Sequence, residues 1–181
     1  MTRLVFVLTV ICAVSSALLA AVYTITKEPI AMAKQQGKRL AAAHVMPAGF
    51  PEPEQMTVEG ETFFVCKVDG KIAAVAVAGH SKNGYGGLIE LMVGMSADGK
   101  LVGYEVVEAT ETPGLGTKIA GDAFKKPLLG KALDSGWTVK KDGGDVDAVT
   151  AATISSRAAL DCIKDAIAKL ALLDGLAPEK D

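Results

Sequence analysis

The chain has 181 residues, of which 50% are apolar and 22% charged, with a formal net charge of −2. That length holds one domain plus accessory segments, and the near-zero charge argues against nucleic-acid binding, which calls for a basic face. The apolar half excludes disorder along the whole sequence, because disordered chains lack the residues to build a core.

Leu4 to Tyr23 reads LVFVLTVICAVSSALLAAVY and contains no charge. Its length matches a helix that spans a bilayer. Arg3 precedes it, which predicts a cytoplasmic N-terminus with the rest of the chain outside, in the periplasm where one exists. A cleaved signal peptide would show a shorter apolar core and an A-x-A-like site. Here the run is long, and Ala17-Leu18-Leu19 has no small residue two places on. A lipid anchor on Cys12 is disfavoured because bulky Ile11 precedes it and the cysteine falls in mid-run. Residues 1–26 are therefore read as a membrane anchor.

Residues 27–56 read as a helix and a Pro-rich linker. Ile30, Ala33, Leu40, Ala41 and Val45 form a weak apolar stripe, consistent with a helix continuing from the span until Pro47. Met46 to Pro53 contains three prolines, which block helix and sheet alike.

Residues 57–176 read as the folded domain. Phe63–Val68 and Ile72–Ala78 flank Asp69-Gly70, a strong hairpin signal. Leu88–Met95 and Leu101–Val107 flank a second turn, Ser96-Ala97-Asp98-Gly99-Lys100. Val102, Tyr104 and Val106 alternate as a half-buried strand requires. The expectation is an antiparallel meander of about four strands. A loop follows at Glu111–Gly116, then a short helix over Ile119–Lys126 stopped by Pro127. Trp137–Lys140 reads as a short strand and Lys141-Asp142-Gly143-Gly144 as a turn. Ile154–Leu173 carries Ala159, Cys162, Ile163, Ala166, Ile167 and Leu170 at helical spacing, and Gly175 and Pro178 end it. Residues 177–181 are a polar tail. The fold class is α+β, with the meander packed against a C-terminal amphipathic helix that covers one sheet face. No internal repeat is visible.

The three cysteines, Cys12, Cys66 and Cys162, form no Cys-x-x-Cys pair. His44 and His80 are far apart and join no cysteine cluster, so zinc and iron–sulfur sites have no support. Cys66 and Cys162 are either a disulfide, which needs matched Cα positions, or two small buried hydrophobes. His80 reads as a surface residue at a strand end and Trp137 as core.

The segment Asp147-Ala148-Val149-Thr150-Ala151-Ala152-Thr153 leads into the last helix. Backbone N–H groups at a helix start are unpaired, and with the helix dipole they favour a phosphate there. Ala151 and Ala152 leave room for a bulky group beside the Thr153 hydroxyl. The competing reading is that Thr150, Thr153 or Ser155 simply caps the helix.

Asp-x-x-Thr-x-Ala-Thr resembles the flavinylation motif of the FMN-binding domain family, in which the final Thr forms a phosphoester with FMN. The resemblance implies that Thr153 is the acceptor, with Asp147, Thr150 and Ala152 as the other matched positions. It also implies a flavin transferase that uses FAD and a metal ion to make the bond. Gly84-Tyr85-Gly86-Gly87-Leu88-Ile89 resembles the entry to the same domain. Glu111-Thr112-Pro113-Gly114-Leu115-Gly116 with Lys118 resembles its flavin-facing loop. The three segments occur in family order, and with the N-terminal span they resemble the G-subunit family of Rnf (Rsx) ion-translocating electron transport complexes across nearly the whole chain.

The loop residues also have a physical reading. Gly114 and Gly116 let backbone approach a flat ring closely. Thr112 could hydrogen-bond the polar edge of the ring and Leu115 could pack on its face. Lys118 could offset phosphate charge. The alternative for Pro-Gly-x-Gly is a surface turn. Tyr85 either stacks near the flavin or packs at a strand end with its hydroxyl in water.

The function implied is that of an anchored carrier with one covalent FMN, a redox subunit of an ion-translocating oxidoreductase complex in the inner membrane, with the flavin domain on the periplasmic side. Its partners would be the other subunits, the transferase and the lipid bilayer, with no nucleic acid. Gly84-Tyr85-Gly86-Gly87 opens no βαβ unit, so no nicotinamide site is expected and electrons must come from another subunit. The chain is not expected to be catalytic alone. The equivalent C subunit of the sodium-translocating NADH:quinone reductase is the nearest rival, although its segment between span and meander is typically longer. A membrane-tethered binding module without redox chemistry is the rival from another class.

Overall fold

The meander is built on tight turns whose residues accept positive φ. Asp69 and Gly70 have φ of 52° and 76°, the pair a two-residue hairpin turn requires, and they join β2 (Glu61–Val68) to β3 (Lys71–Gly84). β4 (Gly87–Ser96) and β5 (Leu101–Ala109) follow. The computed structural model describes residues 2–173.

The sheet has five antiparallel strands in sequence order, one more than expected. The extra strand, β1 (Glu54–Val58), pairs with β2 through a turn at Glu59 and Gly60, whose φ are 49° and 87°. Two features hide it in the sequence. Prolines stand directly before it, and as an edge strand with one mostly exposed face it needs no apolar run.

Helix α1 (Thr2–His44) is continuous through the expected span and beyond. The chain divides into two compact units after Gly37. In the first unit every large apolar side chain from Leu4 to Tyr23 is exposed. The hydroxyls of Thr9, Thr24 and Thr26 donate back to the carbonyls of Val5, Ala20 and Val22 at 2.8–2.9 Å. Polar groups satisfied within the helix on an otherwise apolar surface suit a bilayer, and α1 is long and apolar enough to cross one.

The second unit begins at Lys38 and holds the sheet between two layers. On one face Phe63, Val65, Val75, Val77, Ile89, Leu91 and Val93 pack against Ala158, Ala159, Cys162, Ile163 and Ala166 of the long C-terminal helix. On the other, Phe64, Ala76, Ala78 and Met92 are covered by Ala41, Ala42 and Val45 from the end of α1 and the residue after it. Burial on both faces accounts for the almost unbroken apolar runs of β3 and β4, since alternate side chains point to opposite sides.

Two expected elements differ. Ile119–Lys126 is not one helix but a 3-10 turn (Gly116–Ala120), a short α2 (Asp122–Lys125) and a second 3-10 turn (Lys126–Leu128). Extended Gly121, with ψ of 152°, interrupts the helix. Pro127 sits inside the last turn, where its missing N–H costs nothing. Trp137–Lys140 is not a strand, because only Val139 is bridged, to Val146. Trp137 is core as expected: it is buried and its indole N–H donates to the Leu133 carbonyl at 3.0 Å. The C-terminal helix α3 runs Thr153–Lys169 and ends in a 3-10 turn, Leu170–Leu172. Gly175, Pro178 and the polar tail lie outside the described residues.

Cys66 and Cys162 are free and buried. They behave as small hydrophobes: the Cys162 thiol contacts the Ile89 carbonyl, and burial pushes its pKa up to about 12. Burial raises Cys66 as well. His80 is exposed, as expected, but it lies within β3 opposite Glu90 of β4 and not at the strand end.

Candidate functional site

The site forms where three chain segments meet at the start of α3. The turn joining β3 to β4 supplies Tyr85. The loop after β5 supplies Glu111, Thr112, Leu115 and Gly116. The approach to α3 supplies Ala151, Ala152, Thr153, Ile154 and Ser155. These ten residues line a cleft of about 470 Å³, within the range of small-molecule and cofactor sites. Tyr85, Leu115 and Ile154 are exposed apolar side chains beside it, at 70%, 41% and 46%.

Thr153 is the first residue of α3, not its cap. The capping position belongs to Ala152, and among the described residues no side-chain cap hydrogen bond is made there. Capping, the competing role for Thr150, Thr153 and Ser155, is therefore taken by none of them. Ser155 donates instead to Glu111, and the Ser156 hydroxyl, which donates to the Ala152 carbonyl, accepts the Val149 N–H. What remains is a helix start with open N–H donors and a positive dipole end, the arrangement that attracts phosphate.

The Thr153 hydroxyl faces a cation that spacing did not disclose. Lys141 Nζ lies 3.3 Å from Thr153 Oγ1. It is placed there by its neighbour: Asp142 accepts two hydrogen bonds from Arg157, at 2.6 and 2.7 Å, which dock the 140–142 turn against α3. Arg157 holds the Asp142 carboxyl below the usual carboxylate range. A carboxyl lowered on folding stabilises above its unfolded pKa, so this clamp is intact at neutral pH and weakens only in acid.

Of the residues singled out in the sequence, Tyr85, Glu111, Thr112, Leu115, Gly116, Ala152 and Thr153 share the cleft. Asp147, Thr150, Gly114 and Lys118 are outside its lining. Asp147 is exposed and paired with Lys140 at 2.7 Å. The Gly114 N–H donates to Thr117 Oγ1 at 2.9 Å, closing the loop on itself. Thr150 and Lys118 are exposed. The cleft also contains Ala151, Ile154 and Ser155, which the motif passes over.

Ala151 has φ of 61°, in the left-handed region, where a side chain costs about 1–2 kcal/mol. The strain turns the chain so that Ala152 and Thr153 face the cleft. Ala151→Gly should relieve it and raise stability by about 0.5–1 kcal/mol after the added chain entropy of glycine. Denaturant midpoints check this; a lower midpoint for the glycine variant would show that the methyl group packs usefully.

The lining fits a flavin phosphate and ring. Small residues and open N–H groups flank the hydroxyl, a lysine stands beside it, and aromatic and aliphatic side chains lie across the cleft. The family model described as the FMN-binding domain matches residues 84–168. The G subunit of the ion-translocating oxidoreductase complex from Pseudomonas aeruginosa is 32% identical over 169 residues, covering 83% of this chain and 79% of that one. The G subunit of the proton-translocating ferredoxin:NAD(+) oxidoreductase complex from Clostridium ljungdahlii is 33% identical over 171 residues, covering 93% and 90%. Among solved structures, the C subunit of the Na(+)-translocating NADH-quinone reductase from Parabacteroides distasonis aligns with a TM-score of 0.53 and 23% identity, over 66% of this chain and 64% of that one. It shares the fold.

Proposed function

The chain belongs to the G-subunit family of ion-translocating oxidoreductase complexes, and we propose that it serves there as an electron carrier holding one FMN covalently on Thr153. The observation that carries this reading is the Thr153 hydroxyl opening on a cofactor-sized cleft at an uncapped helix start, with Lys141 at 3.3 Å. Attachment forms a bond from Thr153 Oγ to the phosphorus of the FMN half of FAD. The bond from that phosphorus to AMP breaks, AMP leaves, and the hydroxyl proton is lost; a flavin transferase is the partner for this step. Lys141 and the first-turn N–H groups of α3 would hold the phosphate, and Tyr85, Leu115 and Ile154 would flank the ring.

The flavin supplies the redox chemistry and the protein its position. Where free FMN is scarce, as expected outside the cytoplasm, a reversible site would empty by mass action. A covalent link removes that dependence and lets the ring stay open to neighbouring carriers. The positive charge of Arg3 ahead of the span supports a cytoplasmic N-terminus and a flavin domain on the outer side of the inner membrane. The partners are the other subunits of the complex and the bilayer. Electrons arrive from and leave to those subunits, so the isolated chain should not turn over NADH.

The test is the purified chain, produced together with its transferase and run on a denaturing gel. Flavin fluorescence should stay on the wild-type band and vanish from Thr153→Ala. A colourless wild-type band would end the covalent-carrier reading; fluorescence persisting in Thr153→Ala would move the attachment elsewhere.

A further inference from the structure

Glu111 follows β5 and is 9% exposed. Its Oε1 accepts the Tyr85 N–H at 2.8 Å and its Oε2 accepts the Ser155 hydroxyl at 2.9 Å. The two donors belong to separate pieces of the cleft wall, the turn between β3 and β4 and the first turn of α3. The space around the carboxylate is cleared by glycine. A Cβ on Gly84 would lie 2.7 Å from Glu111 Oε1, and one on Gly116 would lie 2.7 Å from Ser155 Oγ and strike Glu111 Oε2. A buried carboxylate spanning two elements through hydrogen bonds, in a niche that two glycines keep open, is a brace.

We propose that Glu111 is a positioning residue: it locks the Tyr85 wall of the cleft to the helix turn that begins with Thr153, so that a ring tethered there is held in one orientation. The assignment rests on the covalent-FMN reading. It differs from a direct grip of the ring by Glu111, because the carboxylate acts through Tyr85 and Ser155. Hydrogen-bond geometry, not the negative charge, is what the brace needs. A glutamine can accept the Tyr85 N–H with its amide oxygen and donate to Ser155 Oγ with its amide nitrogen.

The test uses the full chain, produced with its transferase and purified in detergent, as wild type, Glu111→Gln, Glu111→Ala and Ser155→Ala. The readouts are the intact mass of the flavin-bearing chain, the fluorescence anisotropy of the flavin, and its quenching by iodide. All four should carry flavin. Glu111→Gln should keep wild-type anisotropy and quenching, whereas Glu111→Ala and Ser155→Ala should lose anisotropy and be quenched severalfold more strongly. Wild-type values in both alanine variants would overturn the proposal. A glutamine variant as loose as the alanine one would also overturn it, assigning the effect to charge. Folding is checked by circular dichroism. If Glu111→Ala does not fold, Ser155→Ala, which leaves the carboxylate and its Tyr85 bond in place, decides alone. A wild-type chain without flavin would instead remove the covalent-FMN premise, and the brace assignment with it.

Discussion

Gly79→Ala should destabilise the flavin domain by about 3–5 kcal/mol, a large part of the 5–15 kcal/mol that a domain possesses. At Gly79 the backbone of β3 runs directly against α3. A Cβ there would lie 2.8 Å from the Cys162 carbonyl carbon, closer still to its oxygen, and 3.1 Å from the Ala166 Cβ. The obstacle is helix backbone, so no side chain can rotate away and α3 as a whole must lift from the sheet. That loosens Ala158, Ala159, Cys162, Ile163 and Ala166 against β3 and β4. It also moves Thr153, at the other end of the same rigid helix. At roughly 2–4 °C per kcal/mol for a domain of this size, the thermal midpoint should fall by about 10 °C. Gly103→Ala is the control, since a Cβ there meets nothing within 4 Å. Equal midpoints for the two variants would show that the helix has room to shift.

Lys38→Met should cost about 1–3 kcal/mol, and Glu90→Gln added to it should restore most of the loss. Glu90, in β4, is 2% exposed, and Lys38 Nζ contacts its Oε1 at 2.5 Å. Removing the lysine leaves a buried carboxylate short of its nearest cation. The loss should fall below the 3–5 kcal/mol of a fully buried pair, because Lys38 is itself 30% exposed. His80 Nε2 also stays 3.3 Å from the same oxygen. The pair ties the end of α1 to the sheet face opposite α3, beside the Ala41, Ala42 and Val45 contacts. A cycle of the two single variants and the double variant, measured by denaturant unfolding, isolates the coupling. Strictly additive losses would show that the pair adds nothing beyond its separate residues.

Both sites lie where distant segments meet, which separates what could be read along the chain from what could not. The apolar run of Leu4–Tyr23, the Asp69-Gly70 turn, the alternation of Val102, Tyr104 and Val106 and the periodicity of α3 are local signals, and each yielded its element. The misreadings were also local in origin. Trp137–Lys140 has the residues of a strand but no neighbouring strand to pair along its length. Ile119–Lys126 has the residues of a helix but is broken by extended Gly121. β1 has an edge strand's composition, which resembles a linker.

The candidate site divides in the same way. The motif ending at Thr153 and the Glu111–Gly116 loop are short runs of fixed spacing, so the sequence alone placed a hydroxyl at a helix start and a glycine-bearing loop in the same domain. Pairing them is a matter of tertiary packing. Ser155 meets Glu111 across 44 residues. Lys141 reaches Thr153 only because Arg157 clamps Asp142. Lys118, the cation read together with that loop, is exposed and outside the cleft lining. Composition and periodicity thus determined a long apolar helix followed by an α+β domain, because backbone preference and apolar spacing act over a few residues. The contact of Lys141 with Thr153, the cover on the second sheet face and the bonds of Glu111 to Tyr85 and Ser155 were decided by the folded chain, because side chains far apart in sequence become neighbours only after the core has packed.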